Sequence, residues 1–307
     1  MPRPLRFIPS HSLVEITTRT IQSRLLLRPS PQLTDIILDI IGKAQALYSM
    51  TIHAFVCLSN HAHLLRSPSS AGQLALFMQF VNANVAKEAG RLHDWGDRLW
   101  SRRYRAIVVA DDTAAMARLR YVLAHSAEEG ILANPPLWPG PNCIAALTTG
   151  ALLRGTWFDR SKEFLARQRG ETVFPTQFAT TFDVELTPLP CLKDLSADRR
   201  QAEIRRIVDD IKVKAAAESK EKNRTPMTVE QILGQDPHSK PSSTDRSPAP
   251  FVHATHDSTE QEFRIAYRAF VDPFRAGALR LRERAREIRD LFPLGAFPPQ
   301  LLFAAAA

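Results

Sequence analysis

The stretch TIHAFVCLSNHAHLLR, residues 51–66, decides how the chain is read. Thr51 to Cys57 is short, apolar and rich in β-formers, which predicts a strand. Leu58, Ser59 and Asn60 predict a turn, because Ser and Asn side chains bond locally to the backbone. If residues 61–66 return as a second strand, successive side chains point to opposite faces. His61 and His63 then share one face, with Ala62 and Leu64 on the other. Two neutral imidazoles side by side on a strand make half of a metal site, since imidazole is a common ligand of divalent ions. The same triplet also suits histidines hydrogen-bonded at the end of a hairpin. Spacing alone does not separate the two readings; a partner elsewhere in the chain has to.

Outward from the hairpin, alternation and β-branched residues predict a strand over 13–28. Leu33, Ile36, Ile37, Ile40, Ile41, Ala44 and Leu47 fall at helical spacing within 31–49. A second helix is predicted over 70–92, through Leu74, Phe77, Met78, Val81 and Val85. RRYRAIVVA, residues 102–110, predicts a further strand, and Asp111-Asp112-Thr113 offers N-cap chemistry and favourable charge for the helix after it. Strand, helix, two strands, helix, strand, helix is the order of a ferredoxin-like α+β fold, an antiparallel sheet with helices on one face. The proline-rich ANPPLWPGPN, residues 133–142, closes this predicted domain, taken as 1–145.

Residues 146–307 differ in character and predict a mostly helical extension. Ser196 is placed to cap a helix burying Ile204, Ile207, Val208 and Ile211, and Thr228 with Gln231 suits a capping box. Residues 236–258 are poor in apolar side chains and read as a mobile linker. A last helix is predicted over 258–290, bent at Pro273 and dense in arginine from Arg275 to Arg289.

With 307 residues, 44% of them hydrophobic, the chain can bury a sizeable core. No run of eighteen apolar residues is present, so no membrane span is expected. The N-terminal residues lack a signal core. Cys57, Cys143 and Cys191 are widely separated and form no C-x-x-C pattern, which fits reduced thiols in a cytoplasmic protein. The net charge is +8. Lys43 and Lys87 are the only lysines before Cys143, so guanidinium groups carry the first part's excess, and these suit bidentate contacts to a polyanion.

In the helix after Asp112, Met116, Leu119, Val122 and Leu123 form an apolar stripe. Tyr121, His125 and Glu128 fall together on the other side, with Tyr121 and His125 one turn apart. Such a pair is either a surface couple or the partner that the hairpin histidines need. The residues NHAH within CLSNHAHLL resemble the HUH motif (His, hydrophobic, His) of single-strand DNA transposases. RLWSRRYRAIVV and the run from Tyr121 through HSAEEGILANPPLWPG resemble the segments downstream of that motif in the REP-associated tyrosine transposases and their insertion-sequence relatives. The likeness runs from about Val14 to Gly140.

The resemblance implies a Mg²⁺ or Mn²⁺ ion held by His61 and His63, with Tyr121 attacking a DNA phosphodiester and His125, four positions on, helping to bind the ion. The family usually carries Gln or Asn at that last position, so His125 is either a third ligand or a hydrogen-bonding partner of the phosphate or of Tyr121. A phenol with a pKa near 10 needs help to act as a nucleophile at neutral pH, and a metal ion supplies it as Lewis acid and template. The expected product is a 5′-phosphotyrosine with a free 3′-hydroxyl. Single-stranded or hairpin DNA is the expected partner, including short palindromic repeats, and dimers occur in the family. Arg98, Arg102, Arg103 and Arg105 are placed to meet phosphates, or equally to line a solvated edge strand. A rival reading of the whole is a domesticated DNA- or RNA-binding protein that keeps the fold without turnover.

Overall fold

The computed structural model describes residues 5–241, 249–282 and 292–297. In chain order the elements are β1 (Leu13–Arg19), α1 (Pro31–Tyr48), β2 (Thr51–Cys57), β3 (His61–Ser67), α2 (Ala71–Leu92), β4 (Arg105–Val109), α3 (Asp112–Glu128) and α4 (Ile144–Thr149). They continue as β5 (Arg154–Phe158), α5 (Arg160–Gln168), β6 (Ala179–Asp183), α6 (Ala197–Glu221), α7 (Val229–Leu233) and α8 (Asp257–Arg282). Strands one to four form one sheet in the order β2-β3-β1-β4, every pair antiparallel. That order is what two β-α-β units produce when the second threads its strands between and beside the first, the ferredoxin-like plan. The fold is α+β, and the region after α4 is mostly helical.

The 51–66 hairpin forms as its residue types predict, with β2 and β3 joined through Leu58, Ser59 and Asn60. The first strand is shorter than predicted and stops at Arg19. Thr20 ends it: its hydroxyl donates to Arg24 O (2.6 Å), while Gln22 and Ser23 take positive φ and turn the chain. Leu26 and Leu27 then enter the core from a loop. The fourth strand also starts late, at Arg105, because Tyr104 is buried with the Arg6 guanidinium 4.2 Å over its ring.

Helices α1 and α2 cover one face of the sheet, where Ile37, Ile41, Met78, Val81 and Val85 meet Phe55, Ala62 and Leu64. The third helix does not join them. It crosses the opposite face, the one bearing His61 and His63, and α6 packs outside it. The prediction of helices on one face therefore holds for the first two only. The second face carries Glu15, His61 and His63, all buried, and a buried polar group needs partners that a solvated sheet would otherwise have supplied. Asp111, directly after β4, turns the chain onto that face by accepting from Ala114 N at 2.7 Å.

Residues past 145 pack onto this frame. The β5–β6 hairpin lies on α1 with no side chain between the backbones: a Cβ added at Gly155 would stand 2.2 Å from Asp39 N. At Gly42 of α1 an added Cβ would stand 2.9 Å from the Cβ of Phe182. Ser196 caps α6, Ile204, Ile207, Val208 and Ile211 are buried, and the Thr228–Gln231 capping box forms, each as predicted. Of the stretch 236–258, residues 242–248 lie outside the described ones. Val252 is buried, and His253 pairs with β4, donating from its N to Val108 O (2.9 Å) and accepting from Ala110 N (2.8 Å). Helix α8 forms within the predicted 258–290 span with Pro273 inside it, and the arginines beyond residue 282 lie outside the described residues. No helix among the described residues is long and apolar enough to cross a membrane.

Candidate metal centre

Strand register brings the polar side chains together. Thr17 pairs with His63 and Arg19 with His61 across β1 and β3, and Arg105 pairs with Thr17 across β1 and β4. Directly opposed residues share a face, so these side chains and Glu15 all point toward α3. From that helix His125 descends to the sheet. The ligand atoms of His61, His63 and His125 lie within 4.8 Å of one another, and all three residues are buried. His61 Nε2 and His125 Nε2 are 2.6 Å apart. The Tyr121 ring stands one turn above, with its centroid 5.1 Å from that of His63 and 4.9 Å from that of His125. Tyr121 and His125 of α3 are thus turned toward β3.

Hydrogen bonds on the remote ring nitrogens fix how the imidazoles face. Asn60 Oδ1 lies 2.5 Å from His61 Nδ1, and Glu15 Oε1 lies 2.8 Å from His63 Nδ1. Asn60 reads from sequence as a turn residue; it is also the acceptor that sets its neighbour's tautomer. With Nδ1–H committed to those oxygens, Nε2 of each ring presents a lone pair. His125 Nδ1 is buried without a hydrogen-bond partner among the described residues. Burial, then the adjoining imidazoles, hold His61 and His125 well below the ordinary histidine range, so both are neutral near pH 7. Two lone-pair nitrogens at 2.6 Å repel unless one carries a proton or a cation lies between them. Three imidazoles so arranged fit a divalent transition-metal ion. Glu129 Oε1, 3.9 Å from His61 Nε2 and half exposed, adds a nearby oxygen donor.

Around the cluster sit guanidinium groups, and only part of the predicted set is among them. Arg105 is half-buried, and its pKa is lowered by burial first and then by Arg102 and Arg19, which places these three side chains within electrostatic reach of one another. Arg118 lies 4.5 Å over the Tyr121 ring. Arg98 and Arg103 are exposed in the loop before β4, and no described contact joins either to the histidines. Arg19 and Arg118 went unread in the sequence because only register and helix placement bring them here. Glu128 turns instead toward α6, sharing a small pocket with Ile211 and Lys214. The Tyr121 phenol is pushed up to about 12 by burial first, then by Glu15, Glu129 and Glu128. His53 is no part of the cluster: its Nε2 accepts from Ser67 Oγ (2.9 Å), and its Nδ1 meets Thr187 O and Pro188 O (2.9 and 3.1 Å).

Comparison with protein-family models gives no match, and no curated protein matches. Among solved structures, a REP-associated tyrosine transposase bound to a REP hairpin aligns at 14% identity and a TM-score of 0.40, over 47% of this chain and 82% of that one. A candidate transposase of Deinococcus radiodurans aligns at 16% identity and a TM-score of 0.29, over 39% and 94%. The tRNA(His) guanylyltransferase of Saccharomyces cerevisiae aligns at 11% identity and a TM-score of 0.35, over 63% and 96%. At these scores the fold rests on its own strand order, and no residue role is carried over from any of the three.

Proposed function

We propose that this chain cleaves and rejoins single-stranded or hairpin DNA as a metal-dependent tyrosine transposase, with Tyr121 as nucleophile. The observation that carries the reading is the Tyr121 ring set against His63 of β3 and His125 of α3, two of the three clustered imidazoles. In this reading His61, His63 and His125 hold the ion. Mn²⁺ suits them better than Mg²⁺, which prefers an octahedron of oxygens. Bound there, a divalent ion would withdraw charge from a phosphate oxygen and favour the phenolate.

The chain's own residues supply the rest. Arg19 and Arg105 flank the histidines on the same face and would hold the DNA backbone by charge. The Tyr121 oxygen attacks phosphorus, the bond to the 3′ oxygen breaks, and the product is a 5′-phosphotyrosine with a free 3′-hydroxyl. The phosphodiester bond energy is kept in that link, so a second 3′-hydroxyl can displace Tyr121 and join strands without a nucleotide cofactor. A cytoplasmic, DNA-associated protein is the setting this chemistry implies.

The competing reading is a non-catalytic nucleic-acid-binding protein with the same fold, and the elevated pKa of the Tyr121 phenol favours it. Covalent trapping separates the two. Hairpin DNA labelled on the 3′ side of the break, incubated with Mn²⁺ and run on a denaturing gel, should give a protein adduct with the native chain and none with Tyr121→Phe. An adduct that persists in Tyr121→Phe removes this tyrosine from the chemistry. No adduct from either protein, with binding intact, favours the non-catalytic reading.

A further inference from the structure

Glu15 sits on a central strand with 3% of its surface exposed, and nothing in the sequence around it signals chemistry. Its two oxygens are both engaged. Oε1 lies 2.8 Å from His63 Nδ1, Oε2 lies 2.7 Å from His253 Nε2, and Arg118 Nη1 stands 3.6 Å from Oε2. The His253 approach meets the distance of a hydrogen bond but not its direction, so it is a close polar contact. A carboxyl this deeply buried is unfavourable unless its partners are fixed in place.

At 2.8 Å from Glu15 Oε1, Nδ1 is the His63 nitrogen placed to donate to the carboxyl, and Thr17 Oγ1, 3.3 Å from the same nitrogen, is compatible with that. Nε2 of His63 is left with its lone pair for the cluster. Carboxylate, then imidazole, then metal is the arrangement by which proteins orient a ligating histidine and raise its basicity. His61 receives the same service locally, from the adjoining Asn60. His63 receives it from another strand, and the far oxygen of that carboxylate is held by a residue near the opposite end of the chain.

His253 is no stray side chain. Its backbone is bonded on both sides to β4, and Thr255 N donates to Asp111 Oδ2 at 2.7 Å. Asp111 is the N-cap of α3, the helix that carries Tyr121 and His125. One short segment after residue 250 thus touches both the carboxylate behind His63 and the start of the helix behind His125.

We infer that Glu15 is a positioning residue of the metal centre and that His253 anchors it, so that the segment ahead of α8 is built into the site. The inference rests on the metal reading proposed above. Its first test needs no variant: two-bond ¹⁵N correlation spectra of the metal-free protein should show His63 as the Nδ1–H tautomer. An Nε2–H tautomer would overturn the proposal. Mn²⁺ titrations by calorimetry form the second test. Glu15→Gln and Glu15→Ala should each weaken binding about 10- to 100-fold, the usual cost of losing such a partner, and Glu15→Ala should also populate the other His63 tautomer. His253→Ala, which leaves the backbone bonds to β4 in place, should shift both readouts the same way by a smaller factor. If the native chain binds Mn²⁺ and Glu15→Ala binds it equally well, the positioning role falls while the metal centre stands. Native affinity and an unmoved tautomer in His253→Ala would overturn the anchoring. A native chain that binds no Mn²⁺ brings down the metal reading and this inference together.

Discussion

His125 stands where the resembled family usually carries an amide, and in the proposed metal centre that single residue would set which ion is preferred. An imidazole nitrogen favours Mn²⁺ over Mg²⁺, whereas an amide oxygen narrows the gap. His125→Gln is therefore expected to weaken Mn²⁺ binding about tenfold while leaving Mg²⁺ binding equal or stronger; an unchanged ratio of the two dissociation constants, measured by calorimetry, counts against His125 as a ligand. A pH effect belongs to the same scale. Burial lowers the pKa of His53, His61, His93 and His125 from the ordinary 6.5. The unfolded chain takes up protons on these residues below about pH 6.5 while the folded chain does not, so their stabilisation is present above that pH and is lost as pH falls through it. Compared with His53→Gln, which removes one of these groups and leaves Asp39 in place, the metal-free native chain should lose melting temperature steadily from about pH 7 to about pH 5. His61, His63 and Tyr121–His125 were legible because strand alternation and helical spacing act within a few residues. Glu15, Arg19 and His253 were not, because cross-strand register and the return of a distant segment leave no local mark.

At the scale of elements, α1 and β5 meet backbone to backbone at Gly155. Gly155 has no room for a methyl group, since the new Cβ would fall inside the Asp39 backbone. Gly155→Ala must push the β5–β6 hairpin off α1, at a cost of about 3 kcal/mol. Chemical denaturation measures it, and a loss below about 0.5 kcal/mol would mean that the hairpin is only loosely held. The same contact buries Asp39, whose carboxyl is pushed up to about 8 by burial first and then by Asp35 and Glu88, with Lys43 opposing. Between its ordinary 3.8 and about 8 the folded chain keeps a proton that the unfolded chain has released. This group therefore lowers stability progressively as pH rises through that window. Asp39→Asn should change stability little near pH 4 and increase it at about pH 8. A difference between variant and native chain that stays flat with pH would disprove the assignment. From sequence, α1 was readable as an amphipathic helix through its apolar spacing. That its other side would also be covered was not, because the covering strands rest on glycines, which carry no hydrophobic signal.

Across the whole molecule, the residue types before 145 predicted an order of elements that the ferredoxin-like sheet reproduces, while no element was assigned between residues 146 and 195. The reason is physical: β5 and β6 are five residues each, largely exposed on one side, and their stability comes from α1 and not from their own pattern. The core is continuous from Val14 through Ile211 and Ile232 to Val252, so it crosses the point where the composition changes. A chain ending at residue 145 would bare the outer surface of α3 that α6 covers, strip the hairpin from α1, and leave Glu15 without His253. It would keep all three imidazoles and Tyr121. The expectation is a protein that melts well below the full chain by circular dichroism and binds Mn²⁺ weakly, whatever its affinity for DNA. The DNA contribution is separable by salt. Each phosphate neutralised steepens the fall of affinity with ionic strength, so substituting Arg275 and Arg280 of α8 in the full chain should make that slope shallower without moving the melting temperature. A truncated chain with native stability and native Mn²⁺ affinity would show that residues 1–145 build the centre alone. The later segments would then serve DNA binding only.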